Sequence, residues 1–180
     1  MKCQEYIEIA KNLRLLLKPK VEKRFVTVPP IQNNVPQSKS VFFDATVLFC
    51  DMRGSSKITE ELTSDISIGI FRGFLNSIAR IITKNGGRIR QIVGDRILAF
   101  YPKRPDNKDC YQAINTAMEV TTFVEYIFNP EVLGKYSLDL SSGIGIDRGK
   151  VQGITAGIYG RTSAQDPIWV GYSVPSASKM

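Results

Sequence analysis

A chain of 180 residues, 43% apolar and 23% charged, is long enough to bury one core and too short for two large domains. It contains no histidine, which excludes Ser-His-Asp and Cys-His catalysis and the usual histidine-ligated zinc or haem sites; carboxylates, lysines, arginines and backbone must do any chemistry. The net charge is +7, but residues 1–40 concentrate it, with Lys2, Lys11, Arg14, Lys18, Lys20, Lys23, Arg24 and Lys39 against Glu5, Glu8 and Glu22, and a basic leader on a near-neutral body fits a small anionic ligand better than nucleic acid.

Cys3, Cys50 and Cys110 have no C-x-x-C spacing, so they read as reduced thiols and the expected location is the cytoplasm. No apolar run is expected to reach the roughly 18 residues of a membrane span, and the start Met-Lys-Cys-Gln-Glu-Tyr lacks the apolar core of a secretory signal.

In chain order, Tyr6, Ile9, Ala10, Leu13, Leu16 and Leu17 recur at helical spacing, predicting an amphipathic helix over 3–18 that Pro19 ends. Its apolar stripe needs a partner, either its own domain or a second protomer. Residues 28–40 are rich in Pro, Asn, Gln and Ser and read as a linker, dividing the chain into a leader, 1–40, and a main domain, 41–180. Val41–Phe43 and Thr46–Cys50 are β-branched and aromatic, as in a central strand ending at Asp51. Ser64 or Asp65 can cap a long helix through Phe71, Phe74, Leu75, Ile78 and Ile82, stopped at Asn85-Gly86-Gly87. Strands over 88–93 and 96–101 flank Gly94-Asp95, a pair suited to a hairpin turn that displays Asp95. A second helix is predicted over 108–128, ended by Asn129-Pro130, then strands over 138–146 and 150–154 turning at Asp147-Arg148-Gly149, and a last strand at 168–170. This order predicts an α+β fold with helices on one face of a mainly antiparallel sheet. Residues 172–180 look like the opening of a helix, so the protein is expected to continue beyond Met180.

Asp51 and Asp95 each end an apolar strand at a turn. If the first strand lies beside the hairpin, both point to one end of the sheet and make an oxygen-only site suited to magnesium or manganese. Such ions take phosphate oxygens, which points to a nucleoside triphosphate. The plain alternative is that each aspartate only caps a turn.

Phe49-Cys50-Asp51-Met52-Arg53-Gly54-Ser55-Ser56, Val93-Gly94-Asp95-Arg96, Gly143-Ile144-Gly145-Ile146-Asp147 and Trp169-Val170-Gly171, in this order, resemble the class III nucleotidyl cyclase catalytic domain over residues 41–180. The Gly-Ile-Asp turn, Ala156-Gly157-Ile158 and Trp-Val-Gly look most like the pyrimidine cyclases of bacterial Pycsar antiphage systems. The resemblance implies a ferredoxin-like catalytic domain in a homodimer whose two sites are composite. It implies two divalent cations, Mg2+ or Mn2+, on Asp51, Asp95 and the Met52 carbonyl. Arg53-Gly54-Ser55 would turn toward the phosphates, and Arg161 is a candidate phosphate ligand. Lys179 stands where the family has a transition-state arginine and Pro175 where it has a ribose-orienting asparagine. Gln91 and Ile168 occupy the base-reading positions, and Phe49 flanks the base. Gln91 offers a donor and an acceptor, which fits uracil or cytosine; alternatively, it is a sheet residue satisfied by its neighbours. The implied reaction is cyclisation of UTP to its 3',5'-cyclic monophosphate with release of pyrophosphate. The product would be a second messenger for a separate effector protein in antiphage defence, with no nucleic acid or membrane involved. The alternatives are a cytidylate or purine cyclase and a catalytically degenerate cyclase-fold module, for which Pro175 and Lys179 are the argument.

Overall fold

In the computed structural model, residues 3–17, 22–31, 39–157 and 165–179 are described. The leader begins with α1 (Cys3–Leu16), as the apolar spacing predicted. Its stripe is uncovered: Tyr6, Ile9, Leu13 and Leu16 are all exposed.

Three strands frame the site: β2 (Lys39–Arg53), β3 (Arg88–Val93) and β4 (Arg96–Pro102). The last two form the expected hairpin, with Gly94 at φ 61 in its turn. With β5 (Ser141–Gly157) and β6 (Gln165–Val170) they make a sheet in the order β3-β4-β2-β5-β6, and every one of these pairs is antiparallel. A further strand, β1 (Glu22–Phe25), pairs in parallel with Lys39–Phe42 at the start of β2. It was not expected in the leader, because four exposed, mostly charged residues carry no strand-like alternation.

One face of the sheet is covered by helices. They are α2 (Ser55–Glu61), α3 (Ser64–Lys84), α4 (Lys108–Phe123) and α5 (Asn129–Tyr136). Leu48, Cys50 and Met52 of β2 and Ile97, Ala99 and Tyr101 of β4 meet this layer in a single apolar core. By length and mean hydropathy, α3 is apolar enough to cross a bilayer, against the expectation from sequence. Here Ile70, Phe74, Ile78 and Ile82, spaced by helical turns, are buried in that core instead. Thr63, not Ser64 or Asp65, precedes its first turn, and its side chain makes no capping bond.

Alternate residues of β2 (Val41, Phe43, Ala45, Val47, Phe49) face the other side, with Leu98, Phe100, Val151 and Trp169. There the short helix α6 (Ser173–Ala177) packs through Val174 and Ala177, so the helices are not all on one face.

Two predicted boundaries are corrected. The helix from Lys108 does not stop at Asn129-Pro130: it passes through a π turn at Val124–Phe128 into α5. Proline near a helix start loses no intrahelical bond, so Pro130 opens this segment and does not end the previous one. Residues 147–149 are no turn either, because β5 runs unbroken through them. Asp147, Arg148 and Gly149 pair with Val47, Thr46 and Ala45 of the equally long β2. A continuous partner satisfies the backbone groups that a hairpin turn would have left to solvent.

Candidate active site

Register decides which side chains meet. Phe49 lies opposite Leu98 on β4, and Leu98 lies opposite Gln91 on β3, so these three form a row across three strands. The pairing skips Arg90, which is a bulge residue between Ile89 and Gln91. That extra residue sets the facing of Gln91, while Arg90 donates from Nη2 to the Pro29 carbonyl at 2.6 Å. Asp51 and Arg96 each lie one step beyond the last β2–β4 pair, Cys50 with Ile97, and Arg96 pairs with Val93 on β3. The side chains of Asp51 and Arg96 bond: Arg96 Nη2 lies 3.1 Å from Asp51 Oδ2. The Arg96 guanidinium also stands 6.0 Å from the centre of the Phe49 ring.

On the other side of β2 the partners are Gly145 beside Phe49 and Gly143 beside Asp51. With no side chain at Gly143, the sheet face there has room for a neighbour. A β-carbon at Gly143 would come 2.6 Å from Nε of Arg53, so this glycine is where the arginine lies back along the sheet. After Arg53 the chain turns at Gly54, φ 84, into α2. A side chain at Gly54 would be strained by that conformation and would press on the Asp139 carbonyl at 3.3 Å.

The result is a cavity of about 550 Å3. Its walls bring together Asp51, Asp95, Met52, Arg53, Gly54, Ser55, Phe49 and Gln91, eight of the expected site residues, from β2, the hairpin and the turn into α2. Phe49 is mainly floor: its ring is 9% exposed and belongs to the core under α6. Cys50 points to the opposite face. Burial and then the Asp51 charge push its thiol up to about 12, which removes it as a nucleophile.

Three expected residues are not brought to this cavity. Ile168 lies on β6, pairs with Ile154 and is 44% exposed, while its neighbour Trp169 fills the core. Lys179 is exposed just after α6, with its amide on the Ser176 carbonyl, and Pro175 is exposed within that helix. None of the three lines the cavity. Arg161 lies outside the described residues.

Two residues were missed from sequence. Arg96 carried the signal, since it directly follows Asp95, but its pairing with Asp51 depends on register. Asp166 lines a second cavity with Gln91 and Arg90; it is contributed by β6, at the far edge of the sheet from β3, and nothing local pairs those segments.

Two carboxylates on one cavity, Asp51 and Asp95, with the chain at Met52 beside them and no histidine, suit a hard cation that keeps waters and takes phosphate oxygens. Among the described residues no group of three or more Asp, Glu, Cys or His comes together. The donors present therefore fit an ion that completes its shell with substrate and water, not one caged by protein.

No family model matches the chain. It is 29% identical to the uridylate cyclase of Rhodovulum sp. (strain MB263) over 78% of this chain and 59% of that protein. It is 30% identical to the adenylate cyclase of Anabaena cylindrica over 89% of this chain and 32% of that protein. The chain thus spans about three fifths of the length of the uridylate cyclase it matches. Among solved structures, the adenylyl cyclase CyaB from P. aeruginosa superposes with a TM-score of 0.67 at 24% identity, covering 78% of this chain and 71% of that one.

Proposed function

We propose that this chain, whose fold is that of the class III nucleotidyl cyclase domain and whose sequence resembles uridylate cyclases, is a metal-dependent cyclase that converts UTP to its 3',5'-cyclic monophosphate and pyrophosphate. The observation that carries this reading is the convergence of Asp51, Asp95, Arg53-Gly54-Ser55, Phe49 and Gln91 on one cavity.

In the reaction the ribose 3'-hydroxyl gives its proton to water and its oxygen attacks the α-phosphorus. A new P–O bond closes the ring, and the bond to the β-phosphate oxygen breaks to release pyrophosphate. Asp51, Asp95 and the Met52 carbonyl would hold Mg2+ or Mn2+, which would supply acidity to the 3'-hydroxyl and charge to the leaving group. The chain's own work is positional. The Gly54 turn presents backbone N–H groups to phosphate oxygens, and Arg53 adds a cation on the same side. Phe49 narrows the space beside the base, which suits a single ring, and Gln91 presents an amide to its polar edge.

Lys179 neutralises charge at the α-phosphate as a point charge, without the fork of an arginine. Because no residue of α6 lines the cavity of its own chain, this role belongs to a homodimer in which each cavity receives α6 and Ile168 from the partner. Arg161 is a further candidate on the phosphates. Release of the cyclic nucleotide to a separate effector in cytoplasmic antiphage defence completes the proposal.

A second reading, a cyclase fold that binds nucleotide without turnover, is favoured by Pro175, which offers no side-chain hydrogen bond where the ribose needs one. Incubating the purified protein with each of the four ribonucleoside triphosphates and Mn2+, and resolving products by mass, separates the readings. Cyclic UMP from wild type and none from Asp95→Asn supports the proposal. Cyclic AMP, GMP or CMP as the main product overturns the base assignment, and binding with no cyclic product supports the second reading. Activity should also fall faster than protein concentration on dilution, as a composite site requires; a fully active monomer refutes that part.

A further inference from the structure

We propose that Arg96 is the resident counter-ion of Asp51, displaced when a divalent cation binds, and that the displaced guanidinium then becomes a ligand for the phosphates of a nucleoside triphosphate. The inference rests on the cyclase reading for the identity of the anion, but its premises are geometric.

Arg96 and Asp51 lie one residue beyond Ile97 and Cys50, the last pair between β4 and β2, and Arg96 Nη2 reaches Asp51 Oδ2 at 3.1 Å. The Asp51 side chain is 16% exposed and the Arg96 side chain 43%. The carboxylate is therefore largely covered, while the arginine has room to leave without disturbing the core. Asp95 lines the same cavity, so the Arg96 guanidinium shares it with two carboxylates and bonds the one on Asp51.

A cation arriving at Asp51 meets this positive charge first. The two cannot both sit on one carboxylate without repulsion at contact distance. The arginine is the one to yield: half in solvent and joined by a single bond, its ion pair is of the weak kind. Its stem is anchored on β4, and the Phe49 ring beside the guanidinium gives it an apolar wall to slide along. A freed guanidinium in a cavity about to receive a polyphosphate finds the partner its planar fork matches best. Arg53, against Gly143, approaches the same cavity from β2, so the phosphates would be met by arginines from two strands.

The test uses the whole chain with Arg96→Gln and Arg96→Lys. Titration with Mn2+ alone, read by the loss of the free-ion paramagnetic resonance signal, should show Gln at position 96 tightening Mn2+ binding about three- to fivefold. The Lys variant should stay near wild type, because it keeps the competing charge. At saturating Mn2+, the unreactive analogue α,β-methylene-UTP should bind about tenfold more weakly to Arg96→Gln than to wild type, with Lys between them. Unchanged Mn2+ affinity in Arg96→Gln overturns the counter-ion role, and unchanged analogue affinity overturns the phosphate role. If wild type makes cyclic nucleotide while both affinities ignore residue 96, only this inference falls. If wild type binds no Mn2+, the cyclase reading falls with it.

Discussion

Asp109 should be the charged residue whose loss costs the fold most. It sits in the first turn of α4 with a side chain 0% exposed. Thr46 Oγ1 donates to it at 2.8 Å, the Arg104 amide at 3.1 Å, and Arg148 Nε stands 3.1 Å away. Thr46 and Arg148 face each other across β2 and β5, so one carboxylate ties α4 to both long strands. Asp109→Ala leaves a buried hydroxyl and an amide without this acceptor and takes one of two partners from the Arg148 guanidinium, which keeps Asn107. Breaking a buried pair in this way costs about 3 to 5 kcal/mol, and the low end applies because Arg148, 34% exposed, can rehydrate. With a urea slope of about 2 kcal/mol/M, a loss of about 3 kcal/mol moves the unfolding midpoint down by about 1.5 M. Asp109→Asn keeps an acceptor and should lose about 2 kcal/mol.

The pH dependence gives a second reading of the same group. Burial by itself would raise the Asp109 pKa; hydrogen bonds from Arg104 and Thr46 and the Arg148 charge outweigh it and hold it below the usual carboxylate value. A folded-state pKa below the unfolded one means the unfolded chain binds the proton more readily. Stability from Asp109 is therefore present above about pH 4 and lost as pH falls through the folded pKa. Urea midpoints measured between pH 3 and 7 should fall on the acid side in wild type and flatten in Asp109→Asn. Thr46 is five residues from Asp51 along β2, about 17 Å away, so the folded variant should bind Mn2+ like wild type. An Asn variant as stable as wild type at neutral pH, or one with the same acid limb, would refute the reasoning.

Gly143→Ala should push Arg53 off the sheet, because its new methyl would fall 2.6 Å from Nε; weaker binding of the UTP analogue with nearly unchanged thermal stability is expected, and unchanged binding would deny Arg53 a role. Gln91→Ala should reduce turnover of UTP relative to ATP by about 1 to 3 kcal/mol in kcat/KM terms, whereas equal loss for both nucleotides would make Gln91 only a sheet residue. Phe49→Leu, milder than an alanine that would empty a core position at a cost of about 3 kcal/mol or more, should relax discrimination against purines; an unchanged ratio of products in a mixed-nucleotide assay would locate the discrimination elsewhere.

The sequence by itself determined the parts that depend on neighbouring residues. The spacing of Phe71, Phe74, Leu75, Ile78 and Ile82 marked a long helix, Gly94-Asp95 marked a hairpin, and the order of motifs around Asp51 and Asp95 marked the fold and the cavity's principal residues. Only the tertiary structure decided the features that depend on distant partners. Gly143, Gly149 and Gly153 share one face of β5, where they leave room in turn for Arg53, for Ser173 of α6 and for Trp169. Read locally, one of these glycines looked like a turn; read against β2, all three belong to a strand that has given up side chains to admit what lies above it. β1, the Arg96–Asp51 pair and the approach of Asp166 to Gln91 have the same origin. Local pattern encodes which way a residue leans, but which residue stands opposite is set by register and by the curl of the sheet, and these are settled only when the whole core packs at once.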